Sequence, residues 1–169
     1  MDYAVIGGNA VAAWVSRVDE SVVRATQHVD LLVRREDMPA ITEALERAGF
    51  RHRTGSILGG KGTNEMFLDG PGAKARDAVH LIFAREKVNP ESIEPSPDVV
   101  EVEEDAGATG FRLIALEALV TMKLTSYRRK DQLHLLDLME TGQLDATWLD
   151  RVPVSLRDRL QALLDDPEG

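Results

Sequence analysis

The sequence contains no cysteine among its 169 residues. It therefore offers no disulfide framework, no thiolate metal site and no cysteine nucleophile. Aromatic residues make up only 5% of the chain, which argues against the stacking platforms that bind single-stranded nucleic acid. No apolar run approaches the roughly 18 residues that a membrane-spanning helix needs. These absences argue against a disulfide-stapled domain, and we expect no membrane partner.

Positive charge is also scarce, because the net charge at pH 7 is −9. A strongly acidic chain has no general electrostatic footprint for nucleic acid, so any such contact must be local. The composition, 43% hydrophobic and 29% charged, suits one compact domain with a core. The first residues show no basic segment followed by an apolar core, as a secretory signal would. We therefore expect a cytoplasmic protein.

The first 33 residues carry the most informative pattern in the chain. They read as a short apolar strand, Tyr3–Ile6, a Gly7-Gly8 turn, a helix of small residues over 9–17, and a second strand, Val29–Val33. Glycines between a strand and a helix let backbone N–H groups approach an anion, and the helix dipole favours negative charge there. This pattern predicts a turn that binds phosphate.

Polar side chains lead into the second strand. Alternation along a strand places His28 and Asp30 on one face. Arg24 and Thr26 lie on the same face if the strand starts early, near residues 21–25. A phosphate-binding turn beside a strand with two potential metal ligands is the outline of a nucleotide site.

This stretch resembles the nucleotidyltransferase superfamily, and most of all the small bacterial proteins grouped with the AbiEii-type toxins of type IV toxin–antitoxin systems. Their pattern is a Gly-Gly or Gly-Ser turn followed by Arg-x-Thr-x-Asp-x-Asp. The resemblance implies that Gly7, Gly8, Arg24 and Thr26 contact the nucleotide, and that Asp30 is the catalytic carboxylate, which binds Mg²⁺. The substrate it implies is a nucleoside triphosphate.

The sequence departs from that pattern at two positions. His28 stands where the family has its first aspartate, and His80 stands where a third carboxylate is expected. Magnesium prefers oxygen ligands, whereas neutral imidazole suits Zn²⁺, Fe²⁺ or Ni²⁺. Three interpretations stay open: a decayed cleft with hydrogen-bonded histidines, a transition-metal site of His28, Asp30 and His80, or a working transferase. The last would use one metal, or take Asp77 or Glu86 as its third carboxylate.

A second motif lies in the C-terminal part, where Lys123 falls on the apolar stripe of a predicted helix. It is followed by Arg128, the pair Lys130-Asp131, and His134. AbiEii-like proteins have a similar order, and that resemblance implies that Lys123 contacts the nucleotide phosphates and that Asp131 orients it. The other interpretation is a basic helix junction in which Asp131 is an N-terminal cap.

The remaining pattern predicts a mixed α/β (α+β) fold, a nucleotidyltransferase-like sheet flanked by helices. Its predicted elements are a helix over 38–48 ended by Gly49, strands from Phe50, over 63–68 and over 78–84, a glycine-rich connection over 55–62, an edge strand over 99–103 paired with 111–114, and helices over 115–126, 130–140 and 156–164. We expect residues 1–114 to form the core and 115–169 a helical part packed on it as one unit.

The predicted function is nucleotide binding, with transfer of a nucleoside monophosphate to a hydroxyl of an RNA, a protein or a small molecule if the site is active. The alternative is a catalytically silent binding or interaction protein on the same fold. His28 and His80 favour the silent alternative. The sequence leaves the acceptor and the oligomeric state open.

Overall fold

The computed structural model describes residues 1–56, 63–103 and 110–167. Its five strands form one mixed sheet in the order β1-β2-β5-β4-β3, with helices packed against it, so the predicted fold class is confirmed. The strands are β1 Tyr3–Ile6, β2 Val29–Val33, β3 Phe50–Ser56, β4 Thr63–Asp69 and β5 Val79–Phe83, and the helices are α1 Gly7–Ser16, α2 Met38–Arg47, α3 Leu116–Ser126, α4 Arg129–Glu140 and α5 Arg157–Asp165. Most of the glycine-rich connection, residues 57–62, lies outside the described residues.

The strand register brings the polar positions of the sequence motif to one edge of the sheet. Strand β1 runs antiparallel to β2, with Ile6 opposite Asp30. Strands β2 and β5 are parallel, with Asp30 level with His80. Because α1 begins directly after β1, the helix starts at the edge where β2 and β5 also begin.

Helix α1 packs on the sheet through the small residues seen in the sequence. Its buried positions recur at helical spacing and are Gly8, Ala10, Val11, Trp14 and Val15. The Trp14 indole donates a hydrogen bond to the Ile114 carbonyl at 3.0 Å. The Gln143 side chain donates to the Trp14 carbonyl at 2.9 Å. Helix α1 is therefore fixed to the C-terminal part of the chain as well as to the sheet.

The other face of the sheet is covered by α2. Ile41 of that helix packs in a smaller core with Phe67 and Leu81 of the sheet. The helix is followed by Gly49, whose φ of +97° is the left-handed conformation typical of a helix end. The predicted helix and its glycine stop are confirmed here.

One predicted strand is wrong, although its predicted pairing is confirmed in part. Residues 99–103 do not form a strand: a turn at 99–100 is followed by one antiparallel bridge, Val102 to Ile114, within the predicted partner segment. Val99 is fully buried whereas Val100 is 58% exposed, because the chain turns there and the Glu101 N–H donates to the Asp98 carbonyl at 3.1 Å. The approach to β2 is irregular too, with one helical turn, Glu20–Val22.

The larger core joins both halves of the chain. It contains side chains of the sheet, of α1 and of the C-terminal helices, among them Ala4, Ile6, Leu32, Leu119, Leu138, Leu156 and Leu160. We propose on this basis that residues 1–114 and 115–169 fold as one unit. No helix within the described residues combines the length and the apolarity needed to cross a membrane.

Unfolding should therefore be a single transition. Tryptophan fluorescence reports on Trp14 and Trp148, and it should coincide with far-ultraviolet circular dichroism during urea unfolding. Leu160→Ala removes a fully buried side chain of α5 and should cost about 2–5 kcal/mol, moving both probes together. Leu133→Ala on α4, which is 36% exposed, is the control and should stay within about 0.5 kcal/mol. Separate transitions for the two probes would contradict the single unit.

Candidate functional site

The glycine turn lies in close contact with Asp30. Gly7 has a φ of +70°, and a Cβ atom there would lie 2.0 Å from Oδ2 of Asp30 and 2.9 Å from its Cβ. At Gly8, a Cβ would lie 3.0 Å from Thr26 Oγ1 and 3.7 Å from His134 Cε1. Only glycine fits at position 7, because both the conformation and the space exclude a side chain. The structure thus brings Gly7, Gly8, Thr26 and Asp30 together, as the motif predicts.

The two histidines lie beside Asp30 at the same edge of the sheet. Nε2 of His28 is 3.4 Å from Oδ2 of Asp30. The rings of His28 and His80 meet edge to face, with centroids 5.2 Å apart. The side chains of His28 and Asp30 are 30% and 20% exposed, so the group is open to solvent on one side.

Both ring nitrogens of His80 are engaged in hydrogen bonds. Nε2 lies 2.8 Å from the Ala75 carbonyl oxygen. A carbonyl can only accept, so Nε2 carries the proton, and Nδ1 is left as the acceptor of a neutral ring. The Asn64 side-chain amide donates to Nδ1 at 3.0 Å. His80 therefore connects β5 to β4 and to the helical turn Ala75–Asp77.

These donors do not fit the two-magnesium centre that the resemblance implies. Within residues 1–56, 63–103 and 110–167, no three His, Asp or Glu side chains are grouped so as to hold a metal ion. Asp30 supplies oxygen ligands, but His28 and His80 offer nitrogen, which Mg²⁺ disfavours. A Zn²⁺ or Ni²⁺ site of His28, Asp30 and His80 stays a prediction, and it would require His80 to give up its bond from Asn64.

Glu86 and Asp77 are the two alternatives for the third carboxylate. Glu86 follows the far end of β5, where its carboxylate accepts two hydrogen bonds from Arg35 at 2.7 and 2.6 Å. The structure does not bring Glu86 to Asp30, because β5 runs three residues, or roughly 10 Å, beyond His80 before the turn that contains Glu86. Asp77 precedes β5 and has Arg76 Nε 3.8 Å from its carboxylate.

A buried charge cluster joins α3 to α4. Lys123, 7% exposed, donates to Oδ1 of Asp131 at 2.9 Å. Asp131, 1% exposed, also accepts from Ser126 Oγ at 2.7 Å and from Arg128 Nε at 2.7 Å. Burial opposes its charge, but the bonds from Arg128 and Lys123 outweigh burial and hold the pKa of Asp131 well below its usual value.

The interpretation of Asp131 as a helix cap is confirmed, whereas the roles of Lys123 and Asp131 towards a nucleotide stay predictions. Asp131 accepts the Arg128 backbone N–H at 3.3 Å in a capping box at the start of α4, and it also contacts Lys123. Burial lowers the pKa of Lys123, while the charges of Asp131 and Asp30 act in the opposite direction. Lys123 is thus within electrostatic range of Asp30 at the sheet edge.

Two further residues of α4 were without an assigned role in the sequence. Asp137, 3% exposed, accepts hydrogen bonds from Arg24 Nε at 2.7 Å and Nη2 at 2.8 Å. His134 is 4% exposed, and burial, with the charge of Lys123, lowers its pKa to about 4. The sequence shows His134 and Asp137 at helical spacing after Asp131, which indicates a shared face. No local signal pairs Asp137 with Arg24, or Asn64 with His80.

No protein-family model matches the sequence, and no curated protein matches it. A solved structure of the antibiotic-resistance factor ANT(2″)-Ia, a nucleotidyltransferase, superposes with a TM-score of 0.53 at 17% identity, covering 96% of this chain and 85% of that one. The chain has the nucleotidyltransferase fold. A crystal structure of ANT(2″)-Ia with adenylyl-2″-tobramycin is similar at a TM-score of 0.46 and 14% identity, covering 99% and 89%. At these identities the likeness concerns the fold alone.

The first prediction for this nucleotidyltransferase fold concerns the glycine turn. It separates the free-energy cost of the left-handed backbone from the cost of the contact with Asp30. Gly142 also has a φ of +70°, but a Cβ atom there would meet nothing within 4 Å. Gly142→Ala should therefore cost only the left-handed strain of about 1–2 kcal/mol. Gly7→Ala should cost about 1–3 kcal/mol more, because its methyl group overlaps Asp30. Urea unfolding measures both. The difference should shrink when Asp30→Gly is combined with Gly7→Ala, and an unchanged difference would count against the contact.

The second prediction concerns acid stability. His134 is neutral in the fold down to a pKa of about 4, whereas its unperturbed value is 6.5. The unfolded chain therefore takes up a proton first, and the free energy of unfolding should fall by about 3 kcal/mol between pH 6.5 and 4. His134→Gln should flatten this dependence. Equal pH profiles for the parent and His134→Gln would contradict the assignment.

Proposed function

We propose that this protein binds a nucleoside triphosphate where Gly7, Gly8 and Asp30 meet, and that it does not carry out efficient metal-dependent transfer. The observation that carries the second part is the bonding of His80, whose Nδ1 accepts from Asn64 at 3.0 Å and whose Nε2 donates to Ala75 at 2.8 Å. The position from which a third carboxylate would act is used to hold the sheet together.

Phosphate binding is supported by the charge around the turn. The N–H groups of the first turn of α1 have no partner within the helix, and its dipole is positive at that end. Two cations, the buried Lys123 and the exposed Arg128, face one buried carboxylate, Asp131. The cluster therefore carries excess positive charge in an acidic protein. The charge of Asp30 acts on both cations, so the cluster is coupled electrostatically to the sheet edge where phosphate would bind.

Slow transfer follows from magnitudes. Polarisation by correctly held metal ions is worth several kcal/mol to phosphoryl and nucleotidyl transfer, and each 1.36 kcal/mol changes the rate tenfold. His28, Asp30 and His80 lie side by side at this edge of the sheet, and of these three only Asp30 is a carboxylate. We therefore expect transfer to be slower by orders of magnitude than with three carboxylates.

The second candidate is a working transferase, and the observation that favours it is the retained contact of Asp30 with the glycine turn. Its acceptor would be a hydroxyl of an RNA, a protein or a small molecule. The order of Gly7-Gly8, Lys123 and Asp131 supports placing the chain among AbiEii-like proteins, which are cytoplasmic toxins of bacterial toxin–antitoxin pairs. A neighbouring antitoxin gene would support that placement.

Nucleotide binding is tested with a fluorescent ATP analogue, with and without Mg²⁺. The parent should bind, and Lys123→Met should weaken binding roughly tenfold or more, because it removes a buried cation from the cluster. Lys87→Met, which removes an exposed lysine, is the matched control and should bind as the parent does. No binding by the parent would end the proposal.

Transfer is tested with radiolabelled nucleoside triphosphates, using bulk tRNA, total RNA and the protein itself as acceptors. The parent should transfer little label. The double variant His28→Asp, His80→Asp should raise Mg²⁺-dependent transfer, provided that circular dichroism shows it folded. Robust transfer by the parent that is abolished in Asp30→Ala would instead establish the working transferase.

A further inference from the structure

The connection between α1 and β2, residues 17–28, is held near both of its ends. Arg17 lies over the Trp14 ring, and the Asn9 side chain donates to the His28 carbonyl at 2.8 Å. The connection contains one helical turn, Glu20–Val22, and most of its side chains are exposed. Val22 packs against the large core. Arg24 provides the strongest polar contact, with Nε and Nη2 donating to the two carboxylate oxygens of Asp137 at 2.7 and 2.8 Å.

The Arg24–Asp137 pair is built for rigidity. The Asp137 side chain is 4% exposed whereas that of Arg24 is 55% exposed, so the carboxylate lies inside the protein and the cation covers it from outside. A buried carboxylate without its cation is costly, and a bidentate pair fixes the orientation of the guanidinium as well as its distance. The pair therefore holds the connection at one place on α4.

Thr26 follows two residues later and lies against the glycine turn. A Cβ at Gly8 would be 3.0 Å from Thr26 Oγ1 and 3.1 Å from Thr26 Cβ. On its other side the same Cβ would be 3.7 Å from His134 Cε1. His134 and Asp137 are three residues apart and share a face of α4. Gly8 thus lies against both Thr26 and His134. His134 belongs to α4, and Thr26 is connected to α4 through Arg24.

We propose that Arg24 is a positioning residue and not a phosphate ligand: its pair with Asp137 presses Thr26 onto Gly8 and sets the geometry of the turn. This inference rests on the proposed function, because it concerns the turn assigned to phosphate binding. It assigns Asp137, a residue of the C-terminal helices, to the nucleotide site. It also explains why a carboxylate is buried beside a site meant for an anion, since Asp137 anchors Arg24.

The two roles of Arg24 predict opposite effects at Asp137. If Arg24 contacts phosphate, then Asp137→Asn releases the guanidinium and should leave binding unchanged or tighten it. If Arg24 positions Thr26, then Asp137→Asn and Arg24→Gln should each weaken binding of the ATP analogue roughly tenfold, and the double variant should be no worse than either single one. Arg35→Gln is the control, because Arg35 also makes a bidentate pair, with the more exposed Glu86 at the far end of the sheet.

A second readout does not depend on nucleotide. Amide hydrogen exchange of the apo protein, followed by NMR, should become faster at Gly8 and Thr26 in both Arg24→Gln and Asp137→Asn, and should not change there in Arg35→Gln. Faster exchange in a protein that binds no nucleotide would support the positioning and refute the proposed function. Unchanged exchange at Gly8 in both variants, or tighter binding in Asp137→Asn, would overturn the positioning.

Discussion

The close approach of Gly7 to the Asp30 carboxylate is the constraint on which the rest of this site depends. Position 7 has room only for a hydrogen atom. The glycine there lets β1 end and α1 begin directly beside β2. That junction fixes the direction of α1, whose buried side then packs against the sheet and the C-terminal helices. The contact lies at the edge where the strand register places Asp30 level with His80 and Ile6.

The C-terminal helices contribute ionisable side chains to this edge in addition to apolar packing. Asp131 lies in the first turn of α4 and binds Lys123 and Arg128, and His134 and Asp137 follow along the same helix. The three polar side chains of α4 in this group are almost fully buried on the helix face that meets the rest of the protein. Burying so many ionisable groups is expensive unless each has a partner or a neutral form. Asp131 and Asp137 have cationic partners, and His134 is neutral at pH 7 because burial lowers its pKa.

The sequence predicts the parts of the fold that rest on local periodicity. The strands β1 and β2, the glycine turn, α2 with its Gly49 stop and the C-terminal helices follow from apolar spacing and special backbone conformations. Alternation fails at residues 99–103, because Val99 is drawn into the core by tertiary packing. The site is predictable to a similar degree. Gly7, Asp30, Lys123 and Asp131 follow from motif order, whereas the Asn64–His80 bond depends on the register of β4 against β5, and the Arg24–Asp137 pair spans 113 positions.

The bonding of His80 has a consequence for substitution at this position. Its ring is bonded to two other segments of the chain. Asn64 donates to its ring and Ala75 accepts from it. A carboxylate at position 80 could still accept from Asn64, but it has no N–H to donate to the Ala75 carbonyl. Placing an oxygen ligand at position 80 therefore exchanges the connection between β5 and the helical turn Ala75–Asp77 for a carboxylate beside Asp30.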